Sequence, residues 1–142
     1  IFRLTRLPFF CDVIGLVSLF SALWVSRSPG TGTLVGIAAT VVTLALRPGA
    51  FYFLGFTVAS AFLDALVSLV GYERFFSRPV LWFLAAGVAS AALAGLIIGA
   101  FFMGFKSAAA VLTWSGLHAI GGALGALVSV AVVKGLGKRI PA

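Results

Sequence analysis

The sequence predicts an all-α fold, a polytopic transmembrane helical bundle of five or six spans. Composition points there first: 62% of the residues are hydrophobic and only 9% charged, with a mean hydropathy of +1.22. A soluble domain carries about 25% charged residues, so too few polar side chains remain to cover a water-facing surface. The apolar residues also fall in long runs separated by Pro, Gly and Arg breakers. Finally, 142 residues at about 20 per crossing leave room for five or six spans and short loops. Residues 1–142 therefore read as a single transmembrane domain, and a separate soluble catalytic domain is excluded.

The first span covers about 7–26 and closes at Arg27-Ser28-Pro29-Gly30-Thr31-Gly32, a Pro/Gly/Ser turn. The second, 33–46, is short for a crossing and stops at Arg47-Pro48-Gly49, because proline lacks a donor and pushes its predecessor out of the helical region. The third (50–71) and fourth (79–104) are full spans separated by a loop from Tyr72 to Arg78. The remainder, 107–137, would run about 46 Å as one helix at 1.5 Å per residue, longer than the roughly 30 Å hydrocarbon core. A break near 115–122, at Ser115-Gly116 or Gly121-Gly122, would divide it into a short fifth helix and a sixth.

Ten Lys plus Arg against three acids give a charge of +7 and a pI near 10.9. The basic residues stand singly at the ends of apolar runs, where they orient helices and meet anionic lipid. The lipid bilayer, not nucleic acid, is the expected partner. Six segments would place seven basic residues beside both termini and three on the opposite side, with both termini cytoplasmic. Five segments give four against six: the C-terminus stays inside, and the visible N-terminus moves outside. A chain that opens on Ile1 instead of Met is expected to lack some N-terminal residues, which would hide any targeting signal. The single cysteine, Cys11, has no Cys or His partner at ligand spacing and reads as a small apolar filler.

Small residues recur every fourth position at Gly87, Ala91, Gly95 and Gly99 on the fourth span and at Gly121, Gly125 and Ser129 on the last; Ser18 and Ala22 add a shorter pair on the first. Such ladders let helix backbones approach closely. They serve either packing within the chain or docking of another membrane subunit.

No Ser/His/Asp set, metal-spaced cluster or glycine-rich phosphate loop appears, so no enzyme, metal or cofactor is expected. Ionisable groups at membrane depth are costly and carry the functional expectation. Asp64 lies within the third span, and His118 sits one helical turn from Trp114. Tyr72, Glu73 and Trp82 flank the loop between spans three and four. With a break near Gly116, all six residues fall in the outer half of the membrane, where an acid, a histidine and aromatics would suit a planar, partly polar small molecule. Asp12, in the first turn of span one, reads as an acid favoured by the helix dipole.

Leu46-Arg47-Pro48-Gly49-Ala50, followed by Phe53-Leu54-Gly55 and Phe62-Leu63-Asp64-Ala65-Leu66, resembles the second-to-third helix region of substrate-binding S components of energy-coupling-factor transporters. His118-Ala119-Ile120-Gly121-Gly122 and the stretch from Lys134 to Arg139 resemble that family's last helix and basic tail. Together these patterns of small residues cover about half of the chain. The Gly-helix-Asp stretch is also similar to MreD, the rod-shape-determining membrane protein. The compressed fifth and sixth helices depart from the S-component pattern, and Ser18 and Ala22 match only part of the small-residue face that meets the coupling subunit. The resemblance implies a multi-pass protein of the cell membrane that binds and takes up a vitamin-like small molecule. Without a nucleotide-binding motif, such a chain would depend on a separate cytoplasmic ATPase and a membrane coupling subunit. The alternative is a non-transporting scaffold subunit, MreD-like or accessory to a larger membrane complex.

Overall fold

A computed structural model describes residues 9–137; Arg3, Arg6, Lys138 and Arg139, used in the charge count, lie outside them. Helix α1 (Phe9–Ser26) ends at the expected turn, and Gly30, at a φ of 90° that side chains rarely adopt, lets the chain reverse directly into α2 (Thr31–Leu46). After Arg47-Pro48-Gly49 a 3₁₀ turn, Phe51–Phe53, leads into α3 (Leu54–Val70). The stretch expected as a loop between the third and fourth spans is instead a short helix, α4 (Tyr72–Ser77), because Phe75 points inward and is fully buried. Pro79, whose missing N–H costs nothing at a first helical position, starts α5 (Pro79–Ile97), which runs into a π turn at Ile98–Phe102. The last helix, α6 (Ala108–Gly137), is continuous over 30 residues.

That continuity corrects the six-segment alternative. Neither Ser115-Gly116 nor Gly121-Gly122 breaks α6. Gly122 and Gly125 serve close approach, since a Cβ on Gly122 would stand 2.6 Å from the Gly87 carbonyl oxygen and one on Gly125 would stand 3.1 Å from the Val13 Cα, whereas Gly116 has nothing within 4 Å. Four helical segments are long and apolar enough to cross a membrane (Phe9–Ser26, Phe51–Val70, Pro79–Phe102 and Ala108–Gly137), and Thr31–Leu46 is a shorter apolar helix. The structure is thus compatible with a helical membrane bundle.

Contacts fix the directions. Gly32 meets Asp64 and Gly36 meets Ser60, so α2 and α3 are antiparallel; Gly55 meets Ile98, so α3 and α5 are antiparallel as well. Gly87 packs on Ala126 and Gly95 on Ser115, which sets α5 against α6 in opposite directions. Asp12 lies against Gly121 and Trp24 against Gly137, so α1 and α6 run parallel. Phe9, Leu46, Leu54, Ile97 and Ala108 therefore share a near end, and Ser26, Thr31, Val70, Pro79 and Gly137 share a far end.

Two kinds of packing hold the bundle. Toward the far end the core is aromatic: Phe20 stacks on Phe83 with ring centroids 4.2 Å apart, and Phe75 lies 5.5 Å from Phe83. Leu19, Leu23, Leu63 and Val67 fill the space around these rings. Along α5 and α6 the seam is built of small residues, and the ladder Gly87, Ala91, Gly95 and Gly99 is occupied there by α6 itself. Lipid tails are as apolar as leucine, so this dense backbone contact, not hydrophobic exclusion, supplies the attraction between helices. Ser115 adds an interhelical hydrogen bond by donating to the Ala92 carbonyl at 2.8 Å. Of the two uses expected of this ladder, packing within the chain is the one seen along this seam.

Candidate functional site

The six residues expected to converge do not. Asp64, Tyr72, Glu73 and Trp82 lie toward the far end, while Trp114 and His118 lie in the near half, because α6 does not turn back on itself.

Each far-end residue has a local structural partner or place. Asp64 is 3% exposed, and its Oδ2 accepts hydrogen bonds from the Thr33 backbone N–H at 3.1 Å and the Thr33 hydroxyl at 2.9 Å. Gly30 offers α2 no side-chain cap, so the acid from α3 satisfies an amide of the first turn and complements the positive end of the helix dipole. Glu73 pairs with Arg27 at 2.7 Å, but its side chain is 88% exposed, which limits the contribution of the pair to stability. Trp82 stacks on Phe75, and the Arg74 guanidinium lies 5.8 Å from the centre of its ring. Tyr72 packs against the aromatic core, and its hydroxyl is buried without a protein partner.

The near half holds the more unusual arrangement. His118 Nδ1 lies 2.9 Å from Asp12 Oδ1, and the two side chains are only 7% and 11% exposed. This pair links α1 to α6 across 106 positions of sequence. Gly121, one turn beyond His118, makes it possible, since a side chain there would occupy the place of the Asp12 carboxylate. With Asp12 ionised, the imidazole presents Nδ1–H to it and leaves Nε2 free to accept or donate.

Four polar atoms around this pair are buried without a protein partner: Asp12 Oδ2, His118 Nε2, Trp114 Nε1 and Ser90 Oγ. Asp12 and Ser90 both line a partly open, mainly apolar cavity of about 20 Å³ together with Leu16, Leu19, Phe56, Ala59, Ala91 and Ala94. A void of that size admits one water molecule. Toward the near-end surface, Trp114 packs edge-on against His118 at 5.3 Å and Phe105 edge-on against Trp114 at 6.0 Å. A column of rings thus runs from the connection between α5 and α6 down to the buried acid.

Asp12 and Ser90 are the site residues that sequence reasoning missed. The useful signal for Asp12 was that the chain has one histidine and only three acids, so a buried histidine has few available carboxylates. Ser90 carried no signal beyond its place among small residues. Among the described residues, no group of three or more His, Cys, Asp and Glu side chains is placed to hold a metal ion. The larger void, about 250 Å³, is apolar and lies at the far end between α3 and α5. No family model, curated protein or solved structure matches the chain.

Proposed function

We propose that this chain is the membrane-embedded binding component of a small-molecule uptake system, working with a separate ATPase and coupling subunit, and that its cargo engages Asp12, His118 and Trp114. One observation carries this reading: an acid–histidine pair is withdrawn from water at membrane depth with polar atoms around it left unpartnered. Such a centre is expensive in a bilayer, and a bundle that only had to pack would be served as well by apolar side chains. A cargo with a polar edge and an aromatic face would complete those hydrogen bonds and stack on Trp114.

The basic residues support an orientation for this multi-pass protein in the cell membrane. Among the described residues, Arg27, Arg74, Arg78 and Lys134 mark the far end, against Arg47 and Lys106 at the near end. This bias argues for a cytoplasmic far end, with the acid–histidine pair toward the outside, where cargo arrives. The cavity beside Asp12 admits only one water, so cargo would approach His118 from the near end, where Phe105 packs edge-on against Trp114.

A scaffold subunit is the second reading. It is favoured by Asp64 being engaged in capping α2 and by the apolar character of the larger void. Its docking face would be the outer side of α1, where Ile14, Ser18 and Val25 are exposed and Ala22 is half-buried.

Fluorescence separates the two. In purified protein with Trp24 and Trp82 replaced by phenylalanine, Trp114 is the sole reporter. A panel of vitamin-like heteroaromatic compounds should contain one that quenches it saturably. Asp12→Asn and His118→Ala should weaken that binding by about 1–3 kcal/mol, the cost of a lost buried hydrogen bond. No saturable quenching across the panel, with the bundle folded, would overturn the uptake reading in favour of the scaffold.

A further inference from the structure

The far-end crevice between α3 and α5 has no role in the uptake reading. It encloses about 250 Å³ and is lined by Phe62, Leu66, Val70, Phe75, Trp82 and three alanines, without an ionisable side chain. Phe62, Ala85 and Ala89 on its walls are exposed, so it opens sideways, toward the space that lipid occupies around a membrane bundle. Its far end is basic. The Arg74 guanidinium lies 5.8 Å from the ring centre of Trp82, itself a wall of the crevice, and Arg78 precedes Trp82 by one turn, its carbonyl accepting the Trp82 N–H at 3.1 Å. The neighbouring acid, Glu73, is paired with Arg27 at 2.7 Å, and among the described residues neither Arg74 nor Arg78 has a carboxylate partner.

We infer that this crevice is a binding site for an anionic phospholipid, with one acyl chain lying between α3 and α5 and the headgroup phosphate held by Arg74 and Arg78. An apolar slot of this kind accepts methylene groups and gives a polar ligand nothing to bond. The unpaired Arg74 guanidinium on Trp82, with a second unpaired arginine one turn before that residue, favours a negative headgroup, and arginine matches phosphate with paired donors. Trp82 serves both parts, as a wall for the chain and as a platform that orients Arg74. The site requires only that the bundle sits in a membrane, so it stands or falls independently of cargo binding at His118.

Native mass spectrometry of the purified chain with equimolar phosphatidylglycerol and phosphatidylcholine tests this, with thermal unfolding as the check on folding. The wild type should retain phosphatidylglycerol at least about five-fold over phosphatidylcholine, because both carry the phosphate but the cationic choline cancels its charge beside Arg74 and Arg78. The double substitution Arg74→Gln/Arg78→Gln should remove the preference while leaving the unfolding temperature unchanged. Ala89→Phe, which fills the crevice from its open side, should lower retention of both lipids. Equal retention of the two lipids by the wild type would overturn the proposal. So would full phosphatidylglycerol retention in folded Ala89→Phe, which would put the lipid elsewhere on the surface. A dimer that Ala89→Phe dissociates would show that a second copy of the chain covers the crevice, and would equally overturn it.

Discussion

Removing both members of the Asp12–His118 pair should disturb the fold less than removing one. Alanine replaces Asp12 because its carboxylate already packs on the Gly121 backbone, and leucine replaces His118 at similar volume. Asp12→Ala leaves the buried Nδ1 of His118 without a partner, a loss of about 1–3 kcal/mol. His118→Leu strands a carboxylate whose side chain is 11% exposed; in water-soluble proteins an unpaired buried charge costs about 3–5 kcal/mol. Interhelical hydrogen bonds in membranes measure lower, about 0.6 kcal/mol on average and about 1.7 at most, because the unfolded chain in a membrane also finds partners. The expected losses are accordingly about 1–2 kcal/mol for Asp12→Ala and about 2–3 for His118→Leu, with the double variant more stable than the worse single one. The assay is denaturant-driven unfolding of the three variants and the wild type in detergent micelles, followed by helical circular dichroism. A coupling energy above about 1.5 kcal/mol is expected, and additivity within about 0.5 kcal/mol would refute the pair as an energetic unit. A folded double variant that no longer quenches at Trp114 would separate the role of the pair in binding from its role in packing.

The small-residue seam makes opposite predictions for two glycines of α6. Gly122→Ala should destabilise by about 1–3 kcal/mol through overpacking, since its Cβ would meet the Gly87 carbonyl oxygen at 2.6 Å and the Ala91 Cβ at 2.7 Å; Gly116→Ala, with nothing within 4 Å, should be neutral or stabilise by up to about 1 kcal/mol. Thermal unfolding in one detergent decides, and the reverse order would contradict the seam. Topology is read from cysteines introduced at Ser77, Ser107 and Gly137 in a Cys11→Ser background. Ser77→Cys and Gly137→Cys should react with an impermeant thiol reagent from the cytoplasmic side and Ser107→Cys from the outside. Ser77→Cys and Ser107→Cys reacting from one side would rule out the alternating helices.

Much of the fold was legible because its punctuation has single physical causes. Gly30 turns the chain into α2 through a positive φ, Arg47-Pro48-Gly49 closes that helix with a missing donor and another positive φ, and Pro79 starts a helix where an N–H is not needed. Glycine in α6 was ambiguous for the opposite reason: it marks both breaks and close contacts, and only the facing Gly87, Ala91 and Val13 show which applies. The Tyr72–Ser77 stretch reads as a loop because it separates two apolar runs, yet burial of Phe75 among Phe20 and Phe83 draws it into a helical turn.

Site legibility followed from this one ambiguity. The cost of an ionisable group in a membrane picked out Asp64 and His118 without any structure, and both are indeed buried. Their partners could not be read, because Thr33 is 31 positions from Asp64 and Asp12 is 106 from His118. The parity of helix crossings decides which carboxylate His118 can reach. A turn at Gly116 would have made α6 run antiparallel to α1 and carried the histidine toward Glu73. The continuous helix instead runs parallel to α1 and brings His118 beside an acid at the start of that helix, where a dipole role had seemed sufficient. One unbroken helix therefore both separates Trp114 and His118 from the far-end residues and assembles the Asp12 pair.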